Sequence, residues 1–188
     1  MRIYACADYR AMSRRAASII AAQVVLKPDC VLGLATGSTP VGAYEQLVKW
    51  YQQGDLSFAQ TRSVNLDEYQ GLAPTHDQSY RYFMQQNLFN HIDIVPENTH
   101  VLNGLAEDPA AECAAYDQMI RDLGGVDLQL LGMGHNGHIA FNEPGDDFGL
   151  GTHVVTLSER TIDANQRFFA SRDDVPRHAL SMGIKSIM

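Results

Sequence analysis

Short apolar runs alternate along the chain with amphipathic stretches of helical period, and that alternation predicts its layers. Arg2–Ala5 reads as a first strand, and Asp8 as the N-cap of a helix running to about Leu26. On that helix Met12, Ala16, Ile19 and Ile20 are expected to share the buried face. Val31–Leu34 is a buried-strand run, followed by the turn Thr36-Gly37-Ser38-Thr39-Pro40. A second helix carries Val41, Tyr44, Leu47, Val48 and Tyr51 on one side and stops near Gly54. The strand Ser63–Leu66 then runs straight into Asp67-Glu68-Tyr69.

Further on, Ser79–Phe89 has helical grouping of Tyr80, Phe83, Met84 and Leu88. Asp108-Pro109 is a helix start, an N-cap followed by proline in the first turn. Leu128–Leu131 is another apolar strand, His153–Thr156 a further one, and Glu159–Phe169 a further helix. Strands alternating with helices predict an α/β fold, a parallel sheet with helices on both faces. No internal repeat or linker interrupts the pattern, so residues 1–188 read as a single domain. Ala179–Met182 reads as a strand, but the helix begun at Ile184 has barely more than a turn by Met188. So short a helix gains little from packing: either the terminus frays or the chain is a fragment of a longer protein.

Composition narrows the function classes. With 14 basic against 22 acidic residues, the 188-residue chain carries a formal charge of −8, and its basic residues form no run. Nucleic acid and anionic membrane are therefore not expected partners, and an anionic ligand must be held locally by amides and a few placed cations. The three cysteines, Cys6, Cys30 and Cys113, are scattered, as in a reduced cytoplasmic protein. The N-terminus has no long apolar run, and no stretch is long enough to span a bilayer.

Three unusual segments directly follow predicted strands, where open parallel sheets bind ligands. The first is the turn Thr36-Gly37-Ser38-Thr39-Pro40: glycine allows close backbone approach, and the helix start offers free amides to an anion. It lacks the Gly-Lys-Ser/Thr ending of a nucleotide P-loop, and a tight strand-to-helix turn with a threonine cap would read the same way. The second is Asn65-Leu66-Asp67-Glu68-Tyr69, where one carboxylate can serve as a general base if it faces the crevice. Because side chains 67 and 68 diverge, at most one is expected to reach a shared site. The third is the glycine-rich run Gly134-His135-Asn136-Gly137-His138, continuing to Glu143-Pro144. Its His138 is of the one residue type suited to exchanging protons near neutral pH, and Glu143 is expected to orient the imidazole and favour its charged form. His135 and His138 are two residues apart, but zinc wants three or four ligands and Cys113 lies far off, so no metal is expected. No Gly-x-Ser-x-Gly elbow marks a serine hydrolase.

Together these segments resemble the glucosamine-6-phosphate deaminase family. The matching text is Leu34–Pro40, Asn65–Tyr69 and Gly132–Pro144, supported by Ser79-Tyr80, Ala164–Phe169 and Ala179–Gly183. The resemblance implies a Rossmann-like fold, no cofactor, and catabolism of amino sugars such as N-acetylglucosamine. It implies phosphate at the Thr36, Gly37, Ser38 and Thr39 turn, with Arg167 as cationic partner. Asp67 would be the base for enolisation, with Asn136, His138 and Glu143 serving ring opening. Many members carry aspartate where this chain has Asn136; asparagine cannot take a proton, so it is expected to orient His138. Family members continue with another strand and a phosphate-binding lysine segment, and they differ in oligomeric state, so a homo-oligomer stays open. Some are activated by the acetylated substrate through basic residues near 145–155, a stretch with no arginine or lysine here.

The expected activity is conversion of glucosamine 6-phosphate to fructose 6-phosphate and ammonia. A 6-phosphogluconolactonase-like hydrolase shares the phosphate turn but needs no Asp67 base. A sugar-phosphate-sensing domain is the non-catalytic alternative; the Asp67, His138 and Glu143 set and the lack of a helix-turn-helix segment weigh against it.

Overall fold

The computed structural model describes residues 2–134, 136–145, 148 and 150–188. Asp8 caps the first helix, α1 (Tyr9–Leu26), its Oδ1 accepting from Ala11 N at 2.7 Å. The strand β1 (Val31–Leu34) follows, fully buried, then α2 (Val41–Gln52), β2 (Arg62–Asn65) and β3 (Asp67–Tyr69). After α3 (Tyr80–Asn87), capped by Ser79, come β4 (Thr99–His100) and α4 (Pro109–Asp122). Asp108 accepts from the amides of Ala110 and Ala111, so the Asp-Pro start acts as its chemistry dictates. The remainder is β5 (Leu128–Gln129), β6 (His153–Thr156), α5 (Glu159–Asn165), β7 (His178–Ser181) and α6 (Ile184–Ile187).

A parallel sheet in the order β4-β2-β1-β5 forms the centre, with helices on both faces. Alternation along β1 feeds two cores. Leu32 and Leu34 pack with Ala17 and Ile20 of α1, Tyr44 and Leu47 of α2 and Met84 of α3. Val31, with Val64 of β2, meets Cys113, Tyr116 and Ile120 of α4. The fold is the expected α/β class.

Four local expectations change. Arg2–Ala5 forms no strand, and Ile3 is 80% exposed; a strand needs a neighbour to pair its backbone groups, and this segment has none among the described residues. The buried face of α1 is Ser13, Ala17, Ile20 and Val24, not the face centred on Met12 and Ile19. Small residues win there because α2 comes so close that a Cβ on Gly42 would lie 2.7 Å from Ser13 Oγ. Asp67-Glu68-Tyr69, expected to follow a strand, is itself a strand, β3: it joins a second, antiparallel sheet in the order β3-β7-β6. The helix expected to reach Phe169 ends at Asn165 and passes into a 3-10 turn, Gln166–Phe168.

Among the described residues, no helix is long and apolar enough to cross a membrane.

Candidate active site

The C-terminal ends of β1 and β2 open onto a cavity of about 440 Å³. Its lining includes Thr36 and Thr39 of the turn after β1, and Asp67 and Tyr80 beside it. The loop 132–143 adds Asn136, His138 and Glu143, and α5 adds Arg160, Thr161 and Asn165. All three segments singled out by the sequence meet there.

The turn is framed from behind. Buried Tyr44 donates to Ala35 O at 2.5 Å, and Asn65 Nδ2 donates to Leu34 O at 3.1 Å. Gly37 has φ +92°, a conformation other residues enter only with strain. α2 starts behind Pro40 without a side-chain cap. Among the described residues, the amides of Gly37, Ser38, Thr39 and Val41 find no acceptor within the chain. A helix start with unclaimed amides suits an anion. Gly37 and Ser38 shape the turn without lining the cavity; Thr36 and Thr39 do line it.

Asp67 and Glu68 diverge as neighbours on a strand must. The Asp67 carboxylate lines the cavity, only 7% of the residue is exposed, and it accepts no hydrogen bond from any described residue. Burial pushes its pKa up to about 8, with the Glu68 carboxylate adding to the effect. Glu68 points the other way and anchors α3: Oε1 accepts from the amides of Tyr69 and Tyr80, both at 2.9 Å, and Oε2 from Arg81 N at 3.0 Å. Burial raises its pKa too, and these amides pull it back. Tyr80, thus fixed, stacks on Phe141 with centroids 6.2 Å apart and forms an aromatic side of the cavity.

The glycine-rich loop carries a hydrogen-bond chain. His138 Nδ1 lies 2.7 Å from Asn136 Oδ1, and Asn136 Nδ2 donates to Glu143 Oε2 at 2.5 Å. Glu143 therefore reaches the imidazole through Asn136, whereas the sequence reading pairs it with the ring directly. Thr161 of α5 donates to the other Glu143 oxygen at 3.4 Å. Gly134 makes room for the ring, since a Cβ there would lie 2.1 Å from His138 Cε1. Between His138 and Glu143 the chain turns through Ala140 at φ 53°, a left-handed conformation costing about 1–2 kcal/mol for an L-residue. Anchors on the end of β7 hold that turn: Ser181 Oγ accepts from Phe141 N at 3.2 Å, and Asn142 Nδ2 donates to Met182 O at 2.7 Å.

Arg167 lies in the 3-10 turn after α5, its guanidinium 4.6 Å from the Phe168 ring, and is not part of the cavity lining. Arg160, one helical face-repeat earlier, does line it and was not foreseen from the sequence. Neither were Tyr80 and Thr161 as lining groups; only their distance from β3 in the folded chain brings them in. His135, half of the paired-histidine metal reading, lies outside the described residues. Among those described, no three His, Cys, Asp or Glu side chains stand close enough to hold a metal ion.

The family model described as glucosamine-6-phosphate isomerases/6-phosphogluconolactonase matches residues 7–162. The chain belongs to this family. Among its members, a glucosamine-6-phosphate deaminase of Lachnoclostridium phytofermentans is 62% identical over all 188 residues, which span 80% of that protein. One from Clostridioides difficile is 57% identical, with 76% of its length covered. A solved monomeric glucosamine-6-phosphate deaminase, 50% identical, superposes with a TM-score of 0.97 over the whole of this chain and 78% of its own. The 6-phosphogluconolactonase of Thermotoga maritima, 20% identical with a TM-score of 0.68, shares the fold.

Proposed function

We propose that the chain converts glucosamine 6-phosphate to fructose 6-phosphate and ammonia, in the cytoplasm. The carrying observation is the Asp67 carboxylate: buried, unpaired, turned into the cavity and held near a neutral proton affinity. That is the state a general base needs. Lactone hydrolysis, the chemistry of the family's other branch, abstracts no C2 proton and needs no base in this place.

The phosphate sits on the amides at the start of α2 with Thr36 and Thr39, and Arg167 supplies counter-charge. Ring opening comes first: a proton leaves the anomeric hydroxyl and one is delivered to the ring oxygen, with His138, oriented by Asn136 and Glu143, as the exchanging group. The open aldehyde acidifies C2–H. Asp67 removes that proton as the aldehyde oxygen takes one up, giving the enolamine; after exchange with solvent the same carboxyl delivers a proton to C1, and the double bond shifts to nitrogen as a protonated imine at C2. Water adds to the imine, ammonia leaves, and the C2 ketone of fructose 6-phosphate remains. Asn136 has no proton to exchange and serves as the link that fixes the imidazole.

Ammonia release from glucosamine 6-phosphate in deuterated water tests the reading, with deuterium expected at C1 of the product. Hydrolysis of 6-phosphogluconolactone without ammonia release would move the chain to the lactonase branch. Sugar-phosphate binding with no turnover of either substrate would make it a sensor.

A further inference from the structure

One side chain far from Asp67 grips the phosphate turn from outside. Tyr9, the first residue of α1, accepts a hydrogen bond from Gly42 N at 2.9 Å. Its hydroxyl proton faces two carbonyls, Ser38 O at 3.1 Å and Thr39 O at 3.0 Å. The ring is packed where it stands: a Cβ on Gly42 would lie 3.0 Å from Tyr9 Cε1. Asp8 fixes the residue's backbone by capping α1.

Resting on the reading of this turn as the phosphate seat, we propose that Tyr9 is a positioning residue for phosphate binding, aiming the turn's amides without touching substrate. A trans peptide unit holds its C=O and N–H in opposite directions. Drawing the Ser38 carbonyl toward Tyr9 therefore turns the Thr39 N–H away from Tyr9, and Thr39 lines the cavity. On the strand side the turn is held by Tyr44 and Asn65. On its exit side α2 has no side-chain cap of its own, and Tyr9 does that work from a neighbouring helix. Gly42 N, one of the four amides a helix start leaves without intrahelical acceptors, is taken by Tyr9, so among the unclaimed amides of the turn Thr39, which lines the cavity, is the one best placed for the anion.

Tyr9→Phe keeps the ring and removes the grip, and half of the residue's surface is exposed, so the fold tolerates the change. The variant should raise KM for glucosamine 6-phosphate roughly five- to tenfold, the scale of one hydrogen bond, with kcat within about twofold. Inorganic phosphate, titrated calorimetrically into the wild-type chain and the variant, should weaken by the same factor. An unchanged phosphate affinity in the variant, with or without a lower melting midpoint, overturns the proposal, as does a fall in kcat at constant KM. A wild-type chain that binds phosphate but releases no ammonia overturns the deaminase reading instead and leaves the Tyr9 comparison measurable.

Discussion

Asp67 and His138 face one cavity from unlike surroundings. Asp67 stands on a paired strand, 7% exposed, with no hydrogen bond to its carboxylate from any described residue. His138 stands on a loop, and its partners Asn136 and Glu143 are both exposed. The first group is tuned by the fold, which withholds water; the second is oriented by two neighbours in sequence. Changes at Asp67 should therefore move stability and rate together, and changes on the loop should move rate alone.

Asp67→Asn is the hardest test of that contrast. Turnover should fall a hundredfold or more, as for loss of a general base, while substrate affinity survives. Stability should move the opposite way. Asp67's folded pKa, about 8, lies above its ordinary 3.8. Below the lower value both folded and unfolded chains hold the proton; between the two the unfolded chain releases it and the folded chain keeps it. Stability falls as pH rises through that window and has lost this contribution above about pH 8. Asp67→Asn should flatten the fall and raise the melting midpoint at pH 8 by roughly 2–4 °C for each kcal/mol recovered. An active variant, or one melting below wild type at pH 8, would break the comparison.

On the loop, Asn136→Ala should cost about ten- to a hundredfold in kcat by freeing the imidazole, with the melting midpoint almost unmoved. Glu143→Gln should cost less, because glutamine's carbonyl still accepts from Asn136 Nδ2. A larger loss at Glu143 than at Asn136 would mean that the negative charge, not the hydrogen-bond chain, is what His138 needs.

How far the sequence reveals these two environments differs as well. Asp8 and Asp108-Pro109 mark helix starts through chemistry confined to a turn, and each caps its helix in the structure. The strand β3 escapes such reading, because Asp-Glu-Tyr has no strand-like alternation and becomes a strand only by pairing with β7. Burial of Asp67 is thus a property of tertiary contact. The residues of the loop are legible as a motif, yet the order Glu143–Asn136–His138 is not: which side chain lies in the middle depends on how Gly134 and Ala140 bend the chain. Arg160 and Tyr9 carry no motif at all.

Two smaller effects sharpen the picture. Arg167→Ala should raise KM about tenfold with kcat kept, the loss of one charge-assisted contact to phosphate. The same effect from Arg160→Ala, with Arg167→Ala silent, would hand the counter-charge to the arginine that lines the cavity. Glu68→Gln should change the plateau rate least of all. It removes the nearby charge that, after burial, raises Asp67's pKa, so the acidic limb of kcat/KM, set by ionisation of the base, should move to lower pH. A limb that stays in place would leave burial as the sole tuner of Asp67.

Leu66 is the one residue between β2, in the parallel sheet, and β3, in the antiparallel one. Its carbonyl accepts from Met182 N at 2.7 Å, and Asp67 pairs with Ser181, a closure spanning on the order of a hundred residues. The β4-β2-β1 part of the central sheet lies within the first hundred residues, and its fourth strand, β5, is still made well before β7. Assembly of the chain therefore has an order: the scaffold can form while Asp67 is still hydrated and an ordinary acid. Only when β7 arrives, late in synthesis and late in folding, does the carboxylate lose its water and acquire the proton affinity of a base.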